Sequence, residues 1–396
     1  MQFSDDLKDR ISAHDFVVVD KNIYFFSMDF NGLYCLHMPQ REVEFLGSVP
    51  GEEFRQRHLY GPIIEIDGKL YMPPLRGKGI VIYDISRKQF EKIALKYGDI
   101  EMNSKFFKVL CDDKKIFFIP CRYHYLVVLD ITNNQVMYLD EWYHLLNLPE
   151  QHNEILVRNG AFIRNNILYM ASFFDNTLIE ISTKNYKTKA IKIGENKDGF
   201  VDMCLDETHE YIWFLKKNTA TIFKWNMETL KNEIFEIKSS CFQQIGRYPF
   251  INVICAKDKI YLVAYQCNTS FMLDKNENKF IPMEWEKNIT PVRTEWDAKH
   301  YFAKKIEKDV FIVANVEDYS FYLIQNSKIV EKFYLCDSML YYRFLCHGRK
   351  IVRENDNFTL KQYQKAMLNF SIESNVNSNG ALTCGRKIYD MMKTKV

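Results

Sequence analysis

Seven short, densely apolar runs punctuate the chain: Ile23-Tyr24-Phe25-Phe26, Leu70-Tyr71-Met72, Ile116-Phe117-Phe118, Ile167-Leu168-Tyr169-Met170, Ile212-Trp213-Phe214, Ile260-Tyr261-Leu262 and Val310-Phe311-Ile312. Each has strand length and strand residues, and most follow a polar turn such as Asp20-Lys21-Asn22, Asp67-Gly68, Asp112-Asp113-Lys114-Lys115, Asn165-Asn166 or Lys257-Asp258-Lys259. These residue types tolerate tight hairpins and left-handed backbone. One period written out gives a strand at 63 to 66, a turn, a return at 69 to 73, a third strand at 80 to 85 and a fourth at 90 to 93.

The aromatic anchors Tyr24, Tyr71, Phe117, Tyr169, Trp213, Tyr261 and Phe311 recur roughly 44 to 52 residues apart. That period with four strands per repeat predicts the blades of a β-propeller rather than a helical solenoid. A second landmark keeps the same spacing. About thirteen residues past most anchors stands a turn-forming polar residue, Asp84, Asp130, Asn226 or Asp274, with Glu180 a little earlier. About six residues beyond the four acids of this set comes Phe90, Val136, Tyr186 or Phe280, placed to cover an outer strand. The expected fold is all-β: a seven-bladed β-propeller of four-stranded antiparallel blades, with six or eight as the alternatives, and a short helical C-terminal extension. The blades are expected within 1–335. In 336–396 the pattern degrades, with a closing or degenerate blade hairpin at Tyr341 to Leu345 and Lys350 to Arg353, then a short helix carrying Ile388, Met391 and Met392.

The sequence Leu70-Tyr71-Met72, followed by Val81-Ile82-Tyr83-Asp84 and Phe90, resembles kelch-type propeller repeats, in which an aromatic second strand precedes a Tyr-Asp turn and a large aromatic. The resemblance covers about residues 15 to 335. It differs from that family in one respect: the Gly-Gly doublet after the second strand is replaced by Pro73-Pro74, Ala171-Ser172 or Val263-Ala264.

Composition narrows function by exclusion. A net charge of +2 on 26% charged residues supplies no global field for nucleic acid or an anionic membrane. The start Met1-Gln2-Phe3-Ser4-Asp5-Asp6 lacks the basic and apolar character of a signal peptide, which predicts a cytoplasmic protein. Ten cysteines without CxxC spacing read as reduced, buried small hydrophobes. A ring that buries its own sheet edges predicts a monomer or weak oligomer.

Chemistry is expected where inter-blade loops and second-to-third-strand loops crowd one mouth of the central channel. Cations recur there: Arg55, Arg57 and His58, with Tyr60, in one loop, then Lys105, Arg158, Arg247 with Tyr248, and Lys299 with His300; Arg76, Lys78, Arg122, His124 and Lys216-Lys217 come from the others. Together they predict a basic, aromatic-walled funnel for an anionic small molecule, glycan or peptide, since Arg grips carboxylates and phosphates bidentately. The ligand set read from the sequence is Arg57, His58, Tyr60, Arg76, Arg122, His124, Arg158, Arg247 and Tyr248. The competing reading makes these loop cations solvated, or neutralised by acids such as Asp29, Glu52, Asp175 and Asp318.

Two further classes stay open. A protein-docking scaffold would use the aromatic loops Trp142 to Leu148 and Tyr248-Pro249-Phe250. A hydrolase or lyase on a sugar or anionic metabolite would use Glu295, Asp297 and His300, two acids beside an aromatic. No HExxH, GxSxG, P-loop or GxGxxG occurs, and no metal or cofactor is expected.

Overall fold

The computed structural model describes residues 9–38, 41–96, 103–146, 148, 155–195, 197–289, 292–340 and 343. Within them the chain forms a seven-bladed β-propeller. Seven four-stranded antiparallel sheets follow one another at 13–47, 64–94, 106–139, 161–192, 200–236, 250–282 and 300–334, here blades 1 to 7. Every sheet is ordered first to fourth strand, with the first facing the central channel. The seven anchor runs are the second strands of the blades, from Asn22–Ser27 in blade 1 to Val310–Asn315 in blade 7.

The apolar runs are continuous because each second strand is buried on both faces. Alternate side chains point to opposite neighbours. In blade 3, Phe117 and Ile119 pack against blade 4, whereas Ile116 and Phe118 pack against blade 2. In blade 5, Ile212 and Phe214 face blade 4, and Trp213 and Leu215 face blade 6. The core is thus a ring of inter-blade sandwiches. The last of them joins Phe16, Ile23 and Phe25 of blade 1 to Ile312, Phe321 and Phe333 of blade 7, around a gap of about 10 Å³.

Each blade comes from one continuous segment, so the ring closes without exchanging strands between its ends. Closure falls to side chains and one short pairing. Arg10 bridges Cys336, Ile11 N donates to Leu335 O at 2.8 Å, and the Arg10 guanidinium lies 3.9 Å from the Tyr334 ring centroid. The anticipated closing hairpin and C-terminal helix fall outside the described residues, apart from Arg343, whose Nε donates to Asp337 Oδ2 at 2.8 Å.

The turn landmarks have a local cause. Asp84, Asp130, Asn226 and Asp274 each end a third strand and accept backbone N–H bonds two or three residues ahead, which seeds the turn into the outer strand. In blade 4 the residue in that role is Ser182, whose Oγ accepts Asn185 N. Glu180 lies two residues earlier within the strand and pairs with Lys189 at 2.6 Å, so its assignment to the turn is corrected. Tyr186 likewise belongs to the turn and not to the outer strand. It has φ 62°, one of a set that places a left-handed residue in the third turn of every blade: Arg41, Lys88, Asn134, Tyr186, Leu230, Asn278, and Asn326 with Ser327.

Leu230 fits this set worst, being a γ-branched apolar side chain held at φ 59° and 58% exposed. Replacing it with Gly removes the steric cost and a solvent-exposed apolar group. We expect Leu230→Gly to stabilise the protein by about 1 kcal/mol, read as a higher urea midpoint at unchanged slope.

Candidate functional site

The first strands enclose a channel of about 830 Å³, a volume suited to a small-molecule ligand. Their pairing with the second strands slips at Ala13/Phe16, Phe200/Asp202, Phe250/Asn252 and His300/Phe302. Slips of this kind re-aim side chains. Here they turn polar residues toward the next blade's backbone. Asp202 Oδ2 accepts Val253 N at 3.1 Å, Asn252 Oδ1 accepts Ala303 N at 2.8 Å, and Asp15 Oδ2 accepts Ile63 N at 3.4 Å. Lys304 closes the circuit from blade 7 to blade 1, donating to Asp15 Oδ1 at 2.7 Å and to Phe16 O. In blade 3, Lys108 Nζ donates to Asn159 O at 2.8 Å.

This belt decides the charge left in the channel. Arg76, Lys108, Arg158, Lys304 and Lys305 line it against two carboxylates, Asp15 and Asp202. Both carboxylates already accept several hydrogen bonds. Asp202 also takes Asn252 Nδ2 at 2.9 Å, and burial pushes its carboxyl above the ordinary value against the opposing pull of Lys108.

Antiparallel order puts the second-to-third-strand loops and the inter-blade connections at one end of every blade, so they share one mouth. Around it the structure gathers part of the residue set read from the sequence. His58, Arg76 and Arg158 line the channel. The Arg158 guanidinium lies 4.9 Å from the Tyr265 ring, 5.8 Å from Tyr248 and 6.0 Å from Phe173. Arg247 is exposed, outside the channel wall, with its guanidinium 5.5 Å from the Tyr248 ring. Arg57 is paired with Asp29 at 2.7 Å, as the neutralised-loop reading held. His58 is held at about 4 by burial, with His14, Arg57 and Arg76 adding to the effect.

The other expected residues lie elsewhere. Tyr60 is fully buried against Phe26 and its hydroxyl donates to Glu52 Oε1 at 3.2 Å, so it is core and not rim. Arg122 is half-buried beside Cys121, whose thiol burial pushes up to about 12. His124 turns away from the channel and stacks on Tyr143, ring centroids 3.7 Å apart. There it meets Asp140 and His144, with one ligand atom from each within 4.8 Å of the others. Sequence reading expected no metal ligands and did not foresee this cluster; its one signal was the Asp140-x3-His144 spacing, a single helical turn.

Several cations expected in the funnel are buried. Lys105 donates to Gly77 O at 3.4 Å, and Lys216 donates to Asp198 O at 2.7 Å with its ammonium 4.7 Å from the Phe200 ring. Burial lowers the Lys216 amine to about 8. Lys299 and His300 both engage Glu286, at 2.7 and 3.0 Å, and all three are nearly inaccessible. His300 is therefore no partner for an acid pair at the mouth. Asp297 folds back on Arg293 N and Thr294 N, Glu295 is exposed, and Trp296 between them is 85% exposed. Of the aromatic loops expected to dock a protein, Trp142 and Phe250 are completely buried, whereas Leu145 is exposed.

Comparison with known proteins agrees on architecture. No family model matches the chain, and no curated protein matches it by sequence. Among solved structures it is similar to the extracellular domain assigned to a one component system of B. thetaiotaomicron, at 13% identity and TM-score 0.56, over 80% of this chain and 38% of that one. It is also similar to streptogramin B lyase, at 14% identity and TM-score 0.51, over 81% and 91% of the two chains. A β-propeller domain from Myceliophteria thermophila matches at 8% identity and TM-score 0.51, over 78% and 97%. The chain thus spans 38% of the length of the first. At such identities the likeness shows the fold alone, and the kelch-type resemblance rests on the blade pattern.

The Glu286 cluster yields a stability test. Burial drives its carboxyl up, but His300 and Lys299 outweigh this and hold it at about 2, below the ordinary 4.5. A depressed acid stabilises the fold above its unfolded value, and that contribution is lost as pH falls from about 4.5 to about 2. Glu286→Gln leaves Lys299 buried without its counter-charge, so we expect a loss of about 3–5 kcal/mol in urea denaturation at neutral pH. The variant should also lose less further stability across that acid window.

Proposed function

We propose that this propeller is a binding protein that takes a carboxylate- or phosphate-bearing small molecule, or such a group on a glycan or peptide, at the mouth of its channel. The observation that carries this is Arg158, held among three aromatic rings with no carboxylate partner among the described residues, across the channel wall from Arg76, which is likewise unpaired there. The two acids of the lining are engaged in inter-blade contacts, so the mouth keeps an excess of positive charge. A guanidinium fixed by rings loses little freedom on gripping a planar anion. His300 is buried on Glu286 and separated from the exposed Glu295 and Asp297, which favours binding over sugar hydrolysis.

The test is a thermal-shift series with sugar phosphates, nucleotide sugars and acidic glycans at low and high salt. A ligand at a hundred times its Kd stabilises the folded state by about 2.7 kcal/mol. We expect a salt-sensitive shift with at least one of these anions, absent in Arg158→Gln. A wild-type protein indifferent to the whole panel, or a shift that survives in Arg158→Gln, would sink the reading.

His58 adds a pH signature. A bound anion favours the imidazolium, so affinity measured by calorimetry should rise as pH falls from about 6.5 toward about 4. His14, Asp29, Arg57 and Arg76 face the same ring and set the baseline. The pH slope should flatten in His58→Gln while binding at neutral pH persists.

A further inference from the structure

Away from the channel wall, on the third blade, three metal-binding side chains converge from two connections. His124 comes from the loop between the second and third strands, and Asp140 and His144 come from the segment that leaves the outer strand. One ligand atom from each lies within 4.8 Å of the others. We propose that His124, Asp140 and His144 bind a divalent transition-metal ion, zinc foremost.

The local fold supports the assignment independently of that proximity. Asp140 occupies the N-cap of the single-turn helix Glu141–His144, yet its carboxylate makes no capping hydrogen bond. An Asp at this position ordinarily accepts a backbone N–H of the first turn. Here the backbone carbonyl of Asp140 takes Tyr143 N at 2.9 Å, and the side chain is directed to the two histidines. The helical step of four residues sets Asp140 and His144 on one face.

The support is rigid. Trp142 is fully buried, and its Nε1 donates to Leu139 O at 3.2 Å, pinning the turn to the end of the outer strand. Tyr143 stacks on His124 with an interplanar angle of 29°, which fixes the imidazole plane. Orientation of ligands by their neighbours in this way is typical of metal sites. Donors around a tetrahedral zinc stand about 3.3 Å apart, given bond lengths of about 2.0–2.1 Å. The exposed His144 ring can close the remaining gap by rotation. Two imidazoles and one carboxylate select a transition metal over calcium or magnesium, and three protein ligands leave a coordination position for water or an external donor.

The experiment uses the full chain, stripped with a chelator and dialysed, then titrated with Co²⁺ followed by its visible absorption, and with Zn²⁺ in competition with a chromophoric chelator. The expected result is one ion per chain with the intense visible bands of low-coordinate cobalt. Binding should weaken at least about tenfold in His144→Ala and in Asp140→Asn. Both changes sit on the surface turn, and an unchanged melting temperature of the stripped variants verifies that they fold. Equal affinity in wild type and both variants would overturn the proposal. So would failure of the wild type to bind either ion above the level of His144→Ala.

Discussion

Everything in this molecule depends on how one blade is held to the next at the channel wall. Apolar sandwiches between blades supply cohesion, but two sheets packed face to face can slide. The belt of Asp15, Asp202, Asn252 and Lys304, each reaching a backbone group of the adjacent blade, gives every junction it touches a directional bond that fixes blade height. Asp202 and Asn252 are buried, where a hydrogen bond left unmade is costly. The slipped pairing of the first strands of blades 1, 5, 6 and 7 is what brings those side chains round, so a local irregularity in these sheets serves the closure of the ring.

The same belt shapes the chemistry of the mouth. A channel lined by mixed charges would bind little, because its acids would quench its bases. Here Asp15 is taken by Lys304 and a backbone amide, Asp202 by neighbouring amides, and the buried lysines Lys105, Lys216 and Lys299 are engaged by carbonyls or by Glu286. What faces the opening is a small remainder, with Arg158 and Arg76 at its centre. A modest overall charge therefore conceals a localised positive site.

The fold was legible in the sequence because its determinants are local. A strand buried on both faces writes an unbroken apolar run, and an Asx turn needs only its own residue and two or three neighbours. Blade 4 shows the limit: Ser182 performs the turn chemistry, and the acid nearest in spacing, Glu180, does not. The site was legible only in part. Nothing in the order Arg57, His58, Leu59, Tyr60 says that the last dips into the core while His58 lines the channel. Lysine reads as a solvent-facing residue until a neighbouring blade presents carbonyls to it, as happens at Lys105 and Lys216. The pairing of Asp140 with His144 becomes meaningful only when His124, sixteen positions earlier, is folded onto the same turn.

Because each blade is woven from a single continuous stretch, with Arg10 meeting Cys336 at the seam, the ring has no privileged starting point. Its genetic order and its spatial order are related by a rotation. Joining the two ends of the 10–336 unit and opening another inter-blade connection would leave all seven sheets intact. Each blade thus carries its own share of the rim as a contiguous unit of the chain.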